Sequence, residues 1–171
     1  MVQTIELVLD EGLDRAIRDE WDRLARAGLP SQALHLGLTN APHVTLGVAS
    51  ALTPAVVSRL GEIRPPSEIR LGGLLVFRAR TAVVARAVVP SAELLATHAA
   101  VAEALEGCPG RPDHTLPARW TPHVTLARRL DAEQLDAAMQ LLADVPRELV
   151  GSPRVLRHWD SDARAVHELG S

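Results

Sequence analysis

Residues 2–9, VQTIELVL, alternate between apolar and polar positions, the period of a half-buried strand. The spacing then changes. In DEGLDRAIRDEWDRLARAG, residues 10–28, Leu13, Ile17, Trp21 and Leu24 recur at helical intervals and predict an amphipathic helix. The same change of period returns later: AVVARAVV at 82–89 reads as a strand, and SAELLATHAAVAEALEG at 91–107 as a helix. That helix has Leu94, Val101 and Leu105 on one face and Ser91 as its N-cap. LTPAVVSRLGEI at 52–63 predicts a third helix, with Thr53 as cap and Pro54 at the first helical position. LDAEQLDAAMQLLADV at 130–145 predicts a fourth, where Asp131 and Gln134 have capping-box spacing. EIRLGGLLVF at 68–77 and ELVGSPRVLR at 148–157 read as hairpins, broken at Gly72-Gly73 and Ser152-Pro153. RAVHELG at 164–170 is expected to be a last strand that closes the second half, with Asp160–Asp162 as its turn.

Between the two helices of each half stands one pentapeptide. PHVTL occupies 42–46 and recurs at 122–126, at the same offset that relates the strands and helices. A self-match at a fixed offset marks an internal repeat. The expectation is an α+β chain of one domain, 1–171, internally duplicated into about 1–80 and 81–171.

Composition narrows the chemistry. All 18 basic residues are arginine, and the absence of lysine excludes Walker-type phosphate loops, Schiff-base catalysis and lysine adenylylation. Net charge is −3, which argues against a basic polyanion binder, but residues 64–130 hold nine arginines against five acids. That local excess suits a compact phosphate. No apolar run reaches the length of a membrane span. The opening stretch lacks the basic region of a secretion signal, and the lone Cys108 cannot form an intramolecular disulfide, so a cytoplasmic protein is expected.

In a strand, His43 and Thr45 project to one side while Val44 and Leu46 project to the other, and His123 and Thr125 repeat that arrangement. A strand with an ordinary half-buried histidine is the bland alternative for one such motif. Two copies brought together across a cleft would supply two imidazoles and two hydroxyls. One neutral imidazole can take a proton from an attacking water while the other, protonated, delivers one to the leaving oxygen. The threonines can hold non-bridging phosphate oxygens. Cleavage of a phosphodiester or a cyclic phosphodiester fits this set best.

Two H-V-T-L motifs at this spacing, and above all TPHVTLAR at 121–128, resemble the 2H phosphoesterase superfamily, in its 2′-5′ RNA ligase-like, cyclic phosphodiesterase branch. The resemblance spans essentially the whole chain. It implies a bilobal α+β fold with two antiparallel sheets facing a central groove and helices outside. It also implies metal-independent, cofactor-free opening of 2′,3′-cyclic phosphates on RNA 3′ ends or nucleotides. Carried over by position, His43 and His123 are the acid/base pair, and Thr45 and Thr125 bind phosphate. Arg128 occupies a place where many members carry a phosphate-binding arginine. Strict alternation from His123 turns Arg128 away from the pair, so that role requires a bulge near Ala127. The first motif continues as Gly47-Val48, with no equivalent arginine.

Trp120 and Phe77 are candidates for base stacking, with core packing as the alternative for each. His35, His98, His114, His158 and His167 lack partner spacing and are expected at the surface or in packing. Loop 107–119 is positioned to line the groove. Three rival functions remain open. A metal-dependent hydrolase lacks HxH or HExxH spacing; a non-catalytic RNA or nucleotide-binding module would use the same groove; RNA 2′-5′ ligation would be the reverse of ring opening. The default oligomeric state is a monomer.

Overall fold

The computed structural model describes residues 2–37 and 39–170. Its elements follow the hydrophobic periods. Strand β1 (Gln3–Leu9) leads into helix α1 (Glu11–Arg26), strand β2 (His43–Ala49), helix α2 (Pro54–Gly61) and strand β3 (Ile69–Arg78). The second half runs β4 (Ala82–Val88), α3 (Ala92–Ala104), β5 (His123–Leu130) and α4 (Ala132–Leu141), then β6 (Leu149–Gly151), β7 (Pro153–Asp160) and β8 (Ala165–Leu169). Helix starts lie where the caps place them. Asp10 accepts from the Leu13 amide, Thr53 from Val56 and Ser91 from Leu94, while Asp131 and Gln134 close a full capping box.

The strands form two antiparallel four-stranded sheets, ordered β2-β1-β7-β8 and β5-β4-β3-β6. The motif strands β2 and β5 are edge strands of their sheets and contact each other, so the two sheets meet along the two motifs. Helices α2 and α3 cover the first sheet; α1 and α4 cover the second. Between helices and sheets lies one continuous apolar core that includes Leu7, Ile17, Val44, Leu46, Val84, Val101, Val124 and Leu126. Burial of these side chains from both halves at once drives the sheets together.

Three connections differ from the sequence expectation. Gly72-Gly73 is no turn: β3 runs straight through it, with a register shift between Leu71 and Leu74 that the glycines absorb as a bulge. Ser152 is the point where the chain changes sheets, since β6 pairs with β3 but β7 pairs with β1. Asp10 holds this crossing by accepting from the backbone N–H and hydroxyl of Ser152. As a result β8, which forms where RAVHELG predicts a strand, extends the sheet of the first motif and not that of the second.

Candidate active site

The prolines set the histidines. Pro42 and Pro122 favour extended backbone at the residues before them, Ala41 and Thr121. There each preceding carbonyl meets an imidazole: His43 Nδ1 lies 2.8 Å from the Ala41 oxygen, and His123 Nδ1 lies 2.8 Å from the Thr121 oxygen. A carbonyl only accepts, so Nδ1 carries the hydrogen in both rings and Nε2 is the nitrogen left for chemistry. The two motifs are thus built alike, down to the tautomer.

Each motif strand bulges just after its threonine. In the first sheet Glu6 pairs with Thr45 but Ile5 pairs with Gly47, leaving Leu46 extra; in the second, Ala85 pairs with Thr125 and Val84 with Ala127, leaving Leu126 extra. Two consecutive residues therefore point into the core, and the alternation restarts in opposite phase. This is the bulge that Arg128 requires. Arg128 is exposed on the side of Thr125, its Nη2 3.5 Å from the Thr125 hydroxyl, and Arg129 after it adopts a left-handed φ of 63° at a second irregularity. In the first motif Val48 takes the corresponding place.

His123, Thr125, Thr45, Arg128, Phe77 and Trp120 line one cavity of about 460 Å³. His43 does not line this cavity; it lines a second hollow of about 530 Å³, which shares Arg128 with the first. A larger hollow of about 640 Å³ lies between α2 and α3 and contains neither motif. His114, Thr115 and Arg119 from loop 107–119 reach the first cavity, and His35 reaches the second. His98 is buried, and His158 is buried against Gln3.

Burial holds the His123 imidazole below its ordinary range, and the positive charges of Arg128, His43 and His114 push the same way against the Thr121 carbonyl. Phe77 packs its ring against His123, with centroids 4.7 Å apart. Trp120 has one face stacked on His98 at 3.9 Å and its indole N–H on the Thr45 carbonyl at 3.0 Å. Trp21, on α1, donates in the same way to the Thr125 carbonyl at 3.0 Å. Among the described residues, no group of three or more His, Cys, Asp or Glu could hold a metal ion.

Sequence reasoning overlooked Glu6 and Arg157. Glu6 is buried beside His43, with Oε1 3.6 Å from Nε2, and Arg157 Nε donates to its other oxygen at 2.8 Å. The available signal was a carboxylate on the alternate face of an otherwise apolar strand, one strand away from a motif.

A model of the 2′-5′ RNA ligase superfamily matches residues 13–161. Among solved structures, Usb1 from Kluyveromyces marxianus in complex with uridine monophosphate is similar, with TM-score 0.53, 16% identity, and 98% of this chain and 97% of that one covered. A structure described as a phosphoesterase matches with TM-score 0.55, 17% identity, and coverage of 98% and 92%. At these identities the likeness is one of fold. No curated protein sequence matches significantly.

Proposed function

The chain belongs to the 2′-5′ RNA ligase superfamily, the 2H phosphoesterases, and on that footing we propose that it is a metal-independent cyclic phosphodiesterase. It opens 2′,3′-cyclic phosphates on RNA 3′ ends or nucleotides. The observation that carries this reading is the pair of motif histidines, each with Nδ1 tied to a carbonyl so that Nε2 is left for chemistry, in two hollows that share Arg128. One Nε2 accepts the proton of the attacking water and the other protonates the departing ribose oxygen. Thr45, Thr125 and Arg128 receive the non-bridging oxygens, where negative charge grows in the transition state. Phe77 offers a ring to the base, and Trp120 the face that His98 does not cover. That the similar Usb1 structure holds uridine monophosphate supports a nucleotide in this groove. No helix among the described residues is long and apolar enough to cross a membrane. The reading places a monomer in the cytoplasm.

The test is hydrolysis of the four nucleoside 2′,3′-cyclic monophosphates and of a cyclic-phosphate-ended oligonucleotide in excess chelator. Wild type is expected to turn over, and His43→Ala and His123→Ala each to lose at least about a hundredfold in rate. Binding that survives both substitutions, with no turnover in wild type, overturns the reading in favour of a nucleotide-binding module.

A further inference from the structure

The chain has three tryptophans, one phenylalanine and no tyrosine, and the fold sets all but one of these rings against a motif. Trp21 and Trp120 give their indole N–H groups to the Thr125 and Thr45 carbonyls, and Phe77 lies against His123. Trp159 is the remainder. It is partly exposed and stands outside the apolar core. Among the described residues, no aromatic ring packs on it and no acceptor takes its indole N–H. A tryptophan that serves packing finds a partner for that N–H, as the other two do.

Register fixes where the free indole lies. Each sheet begins at a motif strand, and the third strand from it, β7 in one sheet and β3 in the other, carries a ring. In the second sheet Phe77 pairs with Val83, which pairs with Arg128; in the first, Trp159 pairs with Thr4, which pairs with Val48. Arg128 and Val48 are each the fifth residue after their motif histidine. Residues paired in register across antiparallel strands share a face, so Trp159 projects on the side of Thr4. Thr4, Val48, Val83 and Phe77 all line the cavity of His123. Trp159 is one strand past Thr4, about 5 Å beyond that cavity wall, with Val166 of β8 on its far side. The face that lines the cavity thus continues over Thr4 to an open indole.

Resting on the cyclic phosphodiesterase reading of the cavity, we propose that Trp159 is a second base subsite. It stacks the base of the nucleotide before the one that carries the cyclic phosphate, so the preferred substrate is an RNA end of two or more nucleotides. A cyclic phosphate occupies the 2′ and 3′ oxygens of the last ribose, and the chain continues from its 5′ side only. With Phe77 and Trp120 beside the terminal nucleoside, the next ring along the groove face is Trp159. Charge selects a base over a phosphate there. Strand β7 ends at Asp160, directly after the indole, and Asp162 follows in the turn. Acids repel phosphate, whereas every base has a flat face that stacks on an aromatic ring. Such stacking is tolerant of sequence, so the subsite reads length and not base identity.

The experiment compares kcat/KM for a nucleoside 2′,3′-cyclic monophosphate and for a dinucleotide ending in the same cyclic phosphate. It uses wild type, Trp159→Leu, which keeps apolar bulk without a flat ring, and Trp159→Phe, which keeps a ring. In wild type the dinucleotide is expected to be better by about tenfold or more, whichever base comes first. Trp159→Leu should remove most of that ratio, and Trp159→Phe should retain most of it. A purely structural tryptophan would lower both substrates alike and leave the ratio standing, which overturns the proposal. So does a wild-type ratio near unity, or a preference that survives Trp159→Leu and vanishes with added salt, the mark of phosphate contacts. Fluorescence titration with a dinucleotide 3′-phosphate reads the subsite without turnover. Wild type should bind it more tightly than the mononucleotide and with extra quenching of tryptophan emission. Should Trp159→Leu not fold, Trp159→Phe decides: loss of the extra quenching with binding kept supports the subsite, and quenching unchanged overturns it. If wild type hydrolyses no cyclic phosphate, the functional reading fails, and the titration decides the role of Trp159 by itself.

Discussion

Arg128 shows how much a single residue's role depends on its neighbours. Its guanidinium reaches the Thr125 hydroxyl because Leu126 is an extra residue in the strand, and its charge helps hold the His123 ring neutral. Arg128→Ala should therefore do two things. On the proposed function it removes a charged donor to the phosphate, for a loss in kcat/KM of roughly tenfold to a hundredfold. It also removes one of the charges that lower the His123 titration, so the limb of the pH profile that reports His123 moves to higher pH, toward the ordinary imidazole value. Burial, the larger cause, persists in the variant, so the shift stops short of that value. Steady-state kinetics across pH measures both effects. The cavity itself comes from residues of either half: Thr45 stands with Phe77, Trp120, His123 and Thr125.

At the scale of elements, the bulged motif strands are held by reciprocal tryptophans. Trp21 on α1 reaches the Thr125 carbonyl in the second sheet, and Trp120 before β5 reaches the Thr45 carbonyl in the first. Each indole thus ties a structure from one half to the motif of the other, at the residue where the strand leaves regular pairing. Helix α3 and its C-cap press close on the first bulge, where a Cβ on Gly47 would lie 2.6 Å from Leu105 Cδ1 and 3.0 Å from Val101 Cγ1, so a larger residue there requires the Leu105 side chain to shift. Trp21→Phe and Trp120→Phe keep a ring and delete the N–H. Each should cost roughly 1–3 kcal/mol by urea unfolding, from the lost hydrogen bond and the smaller ring. Trp120→Phe should also lower kcat, because Thr45 lies in the groove; Trp21→Phe acts through Thr125. The assay is chemical denaturation beside turnover.

At the scale of the molecule, the halves are interwoven. Strand β3 of the first half joins the second sheet, and β7 of the second half joins the first, so neither 1–80 nor 81–171 contains a whole sheet. A buried ion pair ties the layers: Arg86 on β4, 1% exposed, binds Glu20 on α1 through Nε at 3.0 Å. Its Nη1 meets the carbonyls of Gly72 and Pro146, both at 2.8 Å. With every guanidinium nitrogen bonded, the pair is satisfied, and deleting one partner strands the other. Arg86→Met is expected to destabilise by about 3–5 kcal/mol in urea unfolding, and Arg86→Met with Glu20→Leu to recover a large part of that.

The sequence by itself determined the periodic elements, the helix starts and the two histidine-threonine faces. These depend on spacing and caps that lie within a few residues of one another. Thus Leu13, Ile17, Trp21 and Leu24 sit on one buried face of α1, and Asp131 with Gln134 closes the cap where their spacing puts it. Family membership was legible for the same reason, in two copies of five letters. The tertiary structure alone decided the rest. It turned Arg128 into the groove through a bulge that strict alternation does not encode, and it sent β8 to the sheet of the first motif. It set Glu6 against His43 and Arg157 against Glu6, which are neighbours only through β1 pairing with both β2 and β7. Register between distant strands is fixed by which apolar sets can be buried together, a property of the whole core and not of any local stretch.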